Sequence, residues 1–172
     1  MLDWYYRRQI DKSERYLGQS ADWLRDVLAS SRAGFRKFGM FMPLANHRVH
    51  APVDLWHLCR IAADMTEDCG PCTQIAVDLA LAAGVPVAVV RAAVEGRLDD
   101  MTPRQALAFR FARAVAANAP ETEDLRVALE AETGKAAMAD LAIGIATARV
   151  FPAMKRALGH ARSCSLVQVK TG

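Results

Sequence analysis

Long apolar runs are missing from this chain. The most apolar stretch, Leu79 to Val90, is 12 residues long and is interrupted by Gly84 and Pro86. A spanning helix needs ~20 apolar residues, so no membrane span is expected. Cysteine is scarce as well. Cys59, Cys69, Cys72 and Cys164 are the four present, too few for a disulfide scaffold in a chain this long. Nor is there a dominant charge: 22 basic residues are scattered among 19 acidic ones, for a formal net charge of +3. Without a basic block, that balance argues against a nucleic-acid partner. The opening Met1-Leu2-Asp3-Trp4-Tyr5-Tyr6-Arg7-Arg8 lacks the ordered charged, apolar and small-residue regions of a secretory leader. A cytoplasmic, reducing location is the resulting expectation.

What the chain does have is material for a core. Over 172 residues it is 52% hydrophobic and 24% charged, which suits one globular domain and excludes disorder. Its most informative stretch is Glu67-Asp68-Cys69-Gly70-Pro71-Cys72. Two cysteines with two residues between them can close a disulfide, supply half of a zinc site, or have no chemical role. Gly70 and Pro71 favour a turn entering a helix, since proline loses nothing in a first turn where its N–H would be unpaired. Cys69 is therefore expected at a helix N-terminus. There the free N–H groups and the helix dipole favour a thiolate, with pKa values of roughly 3.5–7.5 in place of about 8.5.

The remainder reads as helices. Apolar and charged residues from Asp3 to Leu17 predict an amphipathic helix stopping near Gly18. Ser20 can cap a second helix carrying Trp23, Leu24, Val27 and Leu28 on one face and continuing toward Phe35 and Phe38, with Met40-Phe41-Met42-Pro43-Leu44 ending it. That Met/Phe cluster suits core packing, an apolar ligand or a subunit contact. A loop from Asn46 to Ala51 holds His47, Arg48 and His50, read as solvated side chains. Pro52 opens a helix from Val53 to about Thr66, with Leu55, Leu58, Ile61, Ala62 and Met65 facing the core.

The helix that begins at the cysteine pair stops at Ala83-Gly84-Val85-Pro86, and Pro86 to Val94 forms a short helix despite its valines. Thr102-Pro103-Arg104-Gln105 has capping-box spacing and starts a helix reaching about Asn118. A shorter one spans Glu121 to Glu132. A last long helix runs from about Lys135 to Leu158, with Pro152 expected to kink it. Ser163 to Gly172 reads as a tail, partly extended through Val167 and Val169. One all-α domain follows.

Several of these stretches resemble the alkylhydroperoxidase D-like, or carboxymuconolactone decarboxylase, family. They are the helix leading into Asp68-Cys69-Gly70-Pro71-Cys72, the stop at Ala83-Gly84-Val85, and Thr102-Pro103-Arg104-Gln105-Ala106-Leu107-Ala108-Phe109. Ile143-Gly144-Ile145-Ala146-Thr147-Ala148-Arg149-Val150-Phe151 and Lys155-Arg156-Ala157-Leu158-Gly159 are similar to the family's final helix. The resemblance covers roughly residues 53–160 and is most specific at the cysteine pair. It implies a multi-helix bundle assembled as a homo-oligomer, with residues 1–50 as an N-terminal helical extension, 51–162 as the core and 163–172 as a tail.

In the family's redox branch the cysteine pair reduces peroxides or passes electrons as a disulfide. A glutamate twelve residues before the first cysteine and a histidine four after the second form a proton relay; here those positions hold His57 and Ala76. Ala76 can move no proton. His57 can act as a base, as a cation favouring the thiolate, or simply as a satisfied buried histidine. Glu67 and Asp68 would oppose a thiolate unless Arg60, Arg91 or Arg149 offsets them.

The candidate catalytic residues are thus Cys69, Cys72 and His57, in a thiol-disulfide oxidoreductase or weak peroxide reductase. Its partners would be a thiol electron donor or disulfide partner protein, or a small-molecule peroxide. No cofactor is expected. The alternative is a non-catalytic helical oligomer that binds an apolar ligand or partner. A zinc site built from Cys69, Cys72 and His57 lacks a second closely spaced pair.

Overall fold

The computed structural model describes residues 2–160 and 167–169, so Cys164 and most of the expected tail lie outside the described residues. Among the described residues every regular element is helical: α1 (Leu2–Leu17), α2 (Asp22–Ser30), α3 (Arg32–Ala45), α4 (Val53–Thr66), α5 (Gly70–Ala82), α6 (Val87–Glu95), α7 (Pro103–Ala117), α8 (Thr122–Thr133) and α9 (Lys135–Ala157), with one 3-10 turn at Leu98–Asp100.

The core is built around α4, which packs against α5, α7 and α9. Enclosure by three neighbours buries every residue from Leu55 to Asp64, so the helix has no solvent face to receive its polar side chains. Leu55, Leu58, Ile61, Phe109, Leu129, Leu141 and Ile145 are among the largest fully buried side chains, each worth about 1.5–3 kcal/mol of burial. The same enclosure traps His57, Arg60 and Asp64.

Local signals set the helix ends. Thr102 accepts the Gln105 N–H, and the Gln105 side chain accepts the Thr102 N–H, which closes a capping box. Gln105 also donates to Asp54 Oδ2 (2.8 Å), fastening α7 to α4. The left-handed Gly84 (φ +85°) lets the chain turn between α5 and α6.

One expectation is corrected. The helix read from Ser20 toward Phe38 is broken at Ser31, whose backbone leaves the helical region (φ −150°, ψ 84°) and whose hydroxyl accepts the Gly34 N–H. A serine that caps the next helix competes with continuation of the last one. Helix α3 ends with the Met/Phe stretch, at Ala45, with Pro43 inside its final turns. As expected, α9 runs through Pro152 and ends at Ala157.

Helices α1 to α3 form a layer with a small core of their own: Ile10, Ala21 and Leu28, with Tyr6, Leu24 and Phe35 against it. Arg25 pairs with Asp11, Glu14 and Asp22 and ties α1 to α2. An aromatic cluster fastens this layer to α9. Trp23 meets Phe38 at 5.5 Å and Phe151 at 6.5 Å, and Phe38 meets Phe151 at 5.9 Å, all edge to face. Of the Met/Phe stretch, Phe41 joins this cluster against Phe38 and Phe151, whereas Met40 is exposed.

The loop after α3 is held from α9. Asp140 Oδ2 accepts the backbone N–H groups of Val49 (2.7 Å), His50 and Ala51 (2.9 Å), and His47 Nε2 lies 3.3 Å from Oδ1. Of residues 167–169, Val167 and Val169 pack on the core, and Gln168 exchanges two hydrogen bonds with the Gln74 side chain. Among the described residues α9 alone is long and apolar enough to cross a membrane by length and composition, and half of that window is buried inside the protein.

Candidate active site

Cys69 is the N-cap of α5, Pro71 lies in its first turn, and Cys72 follows on the same turn. The two cysteines are joined as a disulfide with Cα atoms 5.3 Å apart, and both are buried. Asp68, just before the pair, is left-handed (φ 51°), a conformation aspartate tolerates better than most residues.

The acids beside the pair do not oppose it. Although its partial burial works the other way, Glu67 is held below the usual glutamate range by Arg149 and Arg156. Arg149 Nε lies 2.7 Å from Glu67 Oε1, and Arg156 pairs with Oε2 while donating to the Glu67 carbonyl at 2.8 Å. Asp68 points to solvent. One of the three arginines expected to offset these acids, Arg149, does so, and Arg156 joins it.

Cys72 opens onto a cavity of about 560 Å³ between the α1–α3 layer and helices α4, α5 and α9. Trp23, Leu24, Phe35, Phe38, Ile75 and Leu79 supply apolar wall. The polar floor holds Arg60, Asp64 and Lys155, which line the cavity with Cys72 and Ala76. Lys155 Nζ stands 3.5 Å from Cys72 Sγ. A second cavity, of about 320 Å³, reaches Lys155 beside Pro71, Gly159 and His160.

The floor carries unusual electrostatics. Burial pushes the Asp64 carboxyl up to about 7, against the pull of Arg60 and Lys155. Among the described residues, Asp64 Oδ1 is buried without a hydrogen-bond partner, and so is Arg60 Nε. Burial lowers the Lys155 ammonium and the Arg60 guanidinium, while Asp64 supports both charges. Arg60 is anchored by donation to the Ala45 carbonyl (3.0 Å) and by stacking on Trp56 at 4.5 Å. Two cations and one easily protonated acid leave the floor positive.

His57 is placed elsewhere. It does not line this cavity; its ring stands 5.0 Å from Trp56, edge to face. Burial, with the charges of Arg60 and Arg48, pushes it down to about 4, so near neutral pH it is uncharged and cannot be the cation that favours a thiolate. Cys59 is buried in the core with its thiol pushed up, and it donates to the Ala108 carbonyl at 3.4 Å. Among the described residues no group of three or more His, Cys, Asp or Glu side chains is placed to hold a metal ion.

Asp64 and Lys155 were not singled out from the sequence. For Asp64 a signal existed: His57, Arg60 and Asp64 recur at helical spacing between Leu55 and Asp64, a run whose other positions are apolar. Compared with protein-family models, with curated proteins and with solved structures, the chain matches none.

Proposed function

We propose that Cys69 and Cys72 form a redox couple that exchanges electrons with thiols, in a helical core of the alkylhydroperoxidase D-like type. The observation that carries this reading is the ammonium of Lys155 at 3.5 Å from Cys72 Sγ, at the floor of a cavity. A cation at that distance stabilises the thiolate released when the disulfide opens. The N-terminus of α5 favours charge on Cys69, because a sulfur at an N-cap faces unpaired N–H groups.

Electron transfer proceeds by exchange. A donor thiolate attacks Cys69 Sγ, the S–S bond breaks, and Cys72 leaves as a thiolate beside Lys155. A second donor thiolate then displaces Cys69 from the mixed disulfide. The donor ends as a disulfide and the pair as two thiols, having taken up two electrons and two protons. Asp64, with a carboxyl near 7, is the group on this floor suited to carry a proton at neutral pH. Run with a peroxide, the Cys72 thiolate takes one peroxide oxygen and becomes a sulfenic acid, and the other oxygen leaves as an alkoxide that is protonated. Cys69 then condenses with the sulfenic acid, releasing water and restoring the disulfide.

This route makes no use of His57 or Ala76. In this reading Lys155 and Asp64 do the work of the relay whose positions those two residues fill. Glutathione-buffered titration of the pair, with thiol pKa values from Cys69→Ser and Cys72→Ser, tests it. A reversible disulfide with one thiol below about 8.5 is expected; two inert thiols in a folded protein would overturn it.

The cavity supports a second reading, binding of an apolar ligand without turnover, since its size lies within the roughly 300–1,000 Å³ of small-molecule sites. Homo-oligomerisation is part of the first proposal. Trp4, Tyr16 and Met40, exposed on α1 and α3, are the apolar surface that supports it, and sedimentation of the folded protein tests it.

A further inference from the structure

The large cavity has two chemically distinct parts. Its walls come from α1, α2, α3 and α5, with Phe151 of α9, and are mainly aromatic and aliphatic, and its floor, from α4 and α9, carries Arg60, Asp64 and Lys155. Both cations of the floor, Arg60 and Lys155, are buried, and holding a charge out of water is costly unless something pairs with it. Asp64 is the acid the floor supplies for both, and it is a poor counterion, since among the described residues Oδ1 lacks a partner and burial favours its neutral form. Glu14, the other acid lining the cavity, is occupied by Arg25. The floor therefore lacks about one negative charge, next to an apolar space large enough for a chain of methylenes.

We infer that this cavity binds a long-chain monocarboxylate, with its carboxylate between Arg60 and Lys155 and its chain along Trp23, Leu24, Phe38 and Leu79. The carboxylate supplies the negative charge that this floor lacks, and Asp64, when protonated, donates to it. A cationic amphiphile meets two like charges at the floor. A neutral one leaves the buried cations without a counterion. The inference rests on the ligand-binding reading of the cavity and not on thiol chemistry. One consequence concerns the pair, because a carboxylate seated on Lys155 stands between Cys72 and the cavity and would compete for the same ammonium.

Calorimetric titration of the disulfide form with octanoate, decanoate and dodecanoate, below micelle formation, tests this. One site per chain is expected, tightening about fourfold per added methylene, the equivalent of about 0.8 kcal/mol of burial each. Dodecan-1-ol and dodecyltrimethylammonium should bind at least about tenfold more weakly than dodecanoate. Lys155→Met should remove most of the preference for dodecanoate over dodecanol while leaving dodecanol binding in place. Leu79→Trp, which fills the wall, should weaken both. Should either variant fail to fold, the ligand series on the unaltered protein decides alone.

Absence of dodecanoate binding to the folded protein overturns the inference. Equal affinity for dodecanoate and dodecanol overturns it while leaving an apolar ligand site. Because the titration uses no thiol reactivity, an inert cysteine pair does not affect it, and its failure leaves the redox titration untouched.

Discussion

Lys155 and Cys72 stand 83 residues apart in sequence and 3.5 Å apart in space, Nζ to Sγ. The last helix is thereby coupled to the first turn of α5. Replacing Lys155 with methionine keeps the side-chain volume and removes the charge. In the reduced Cys69→Ser protein, Lys155→Met should raise the Cys72 thiol pKa by about one unit or more. In the intact pair it should move the reduction potential about 30 mV more negative per unit. Lys155→Arg should restore much of both. The pH dependence of alkylation by iodoacetamide reads the pKa, and an unmoved value in the methionine variant would remove Lys155 from the mechanism.

Asp64 and His57 predict opposite pH dependences of stability. The Asp64 carboxyl lies at about 7 in the fold against 3.8 as its ordinary value, because it is buried. Between those limits the folded protein keeps a proton that the unfolded chain has lost, so stability falls as pH rises, by about 1.4 kcal/mol per unit. His57 lies at about 4 against 6.5, again through burial first. There the unfolded chain holds the extra proton, and stability rises with pH. The two slopes oppose each other over most of the window. Urea unfolding at steps between about pH 4 and 7 should show Asp64→Asn gaining stability with pH more steeply than the parent. His57→Gln should slope the other way, and parallel profiles for all three proteins would contradict both assignments.

Features written within a few residues were legible in the sequence. The Thr102–Gln105 box, the proline-led start at Cys69 and the apolar spacing of α4 are local patterns, and each stands at the expected place in the fold. What was not legible depends on distant segments. Lys155 lies in the last turn of a helix read for its apolar stripe, and nothing near it in sequence points to Cys72. Asp140 is a polar residue on the same helix, and only the loop it meets, 89 to 91 residues away, explains it. The polar row on α4 lay open to reading, but burial on all sides comes from neighbours and not from α4 itself. The Ser31 break was missed for a smaller reason, since a serine amid helix-forming residues signals a cap only if the helix ends there.

Asp140 is expected to be the most acid-sensitive clamp of the loop. Desolvation alone would raise its carboxyl, but the N–H groups of Ala51, His50 and Val49, with His47, bring it down to about 2. The stability it contributes is present above its ordinary value of 3.8 and is lost as pH falls toward 2. Asp140→Ala removes the acceptor for three donors and should cost about 2–4 kcal/mol near neutral pH. It should also flatten the acid limb of the stability curve. Denaturant unfolding of the variant checks the first effect, and the same experiment at about pH 3 checks the second.

Gly144 and Trp56 set how closely α9 approaches α4. A Cβ at position 144 would lie 2.9 Å from Trp56 Nε1 and 3.3 Å from Cδ1, inside the contact distance of a ring already held by Arg60 on its face. Glycine in a helix interior costs about 0.8–1 kcal/mol relative to alanine, so without the ring Gly144→Ala would stabilise α9. With it, the ring must shift, and overpacking of this kind costs about 1–3 kcal/mol. The net effect should be destabilising, and it should reach the cavity floor, because Arg60 stacks on the displaced indole. Trp56→Phe makes room at the same spot. The double variant should therefore be more stable than the sum of the single effects, by about 1 kcal/mol or more of coupling. Urea unfolding of the four proteins measures that coupling, and strict additivity would show that the Gly144–Trp56 contact does not limit the packing of α9 on α4.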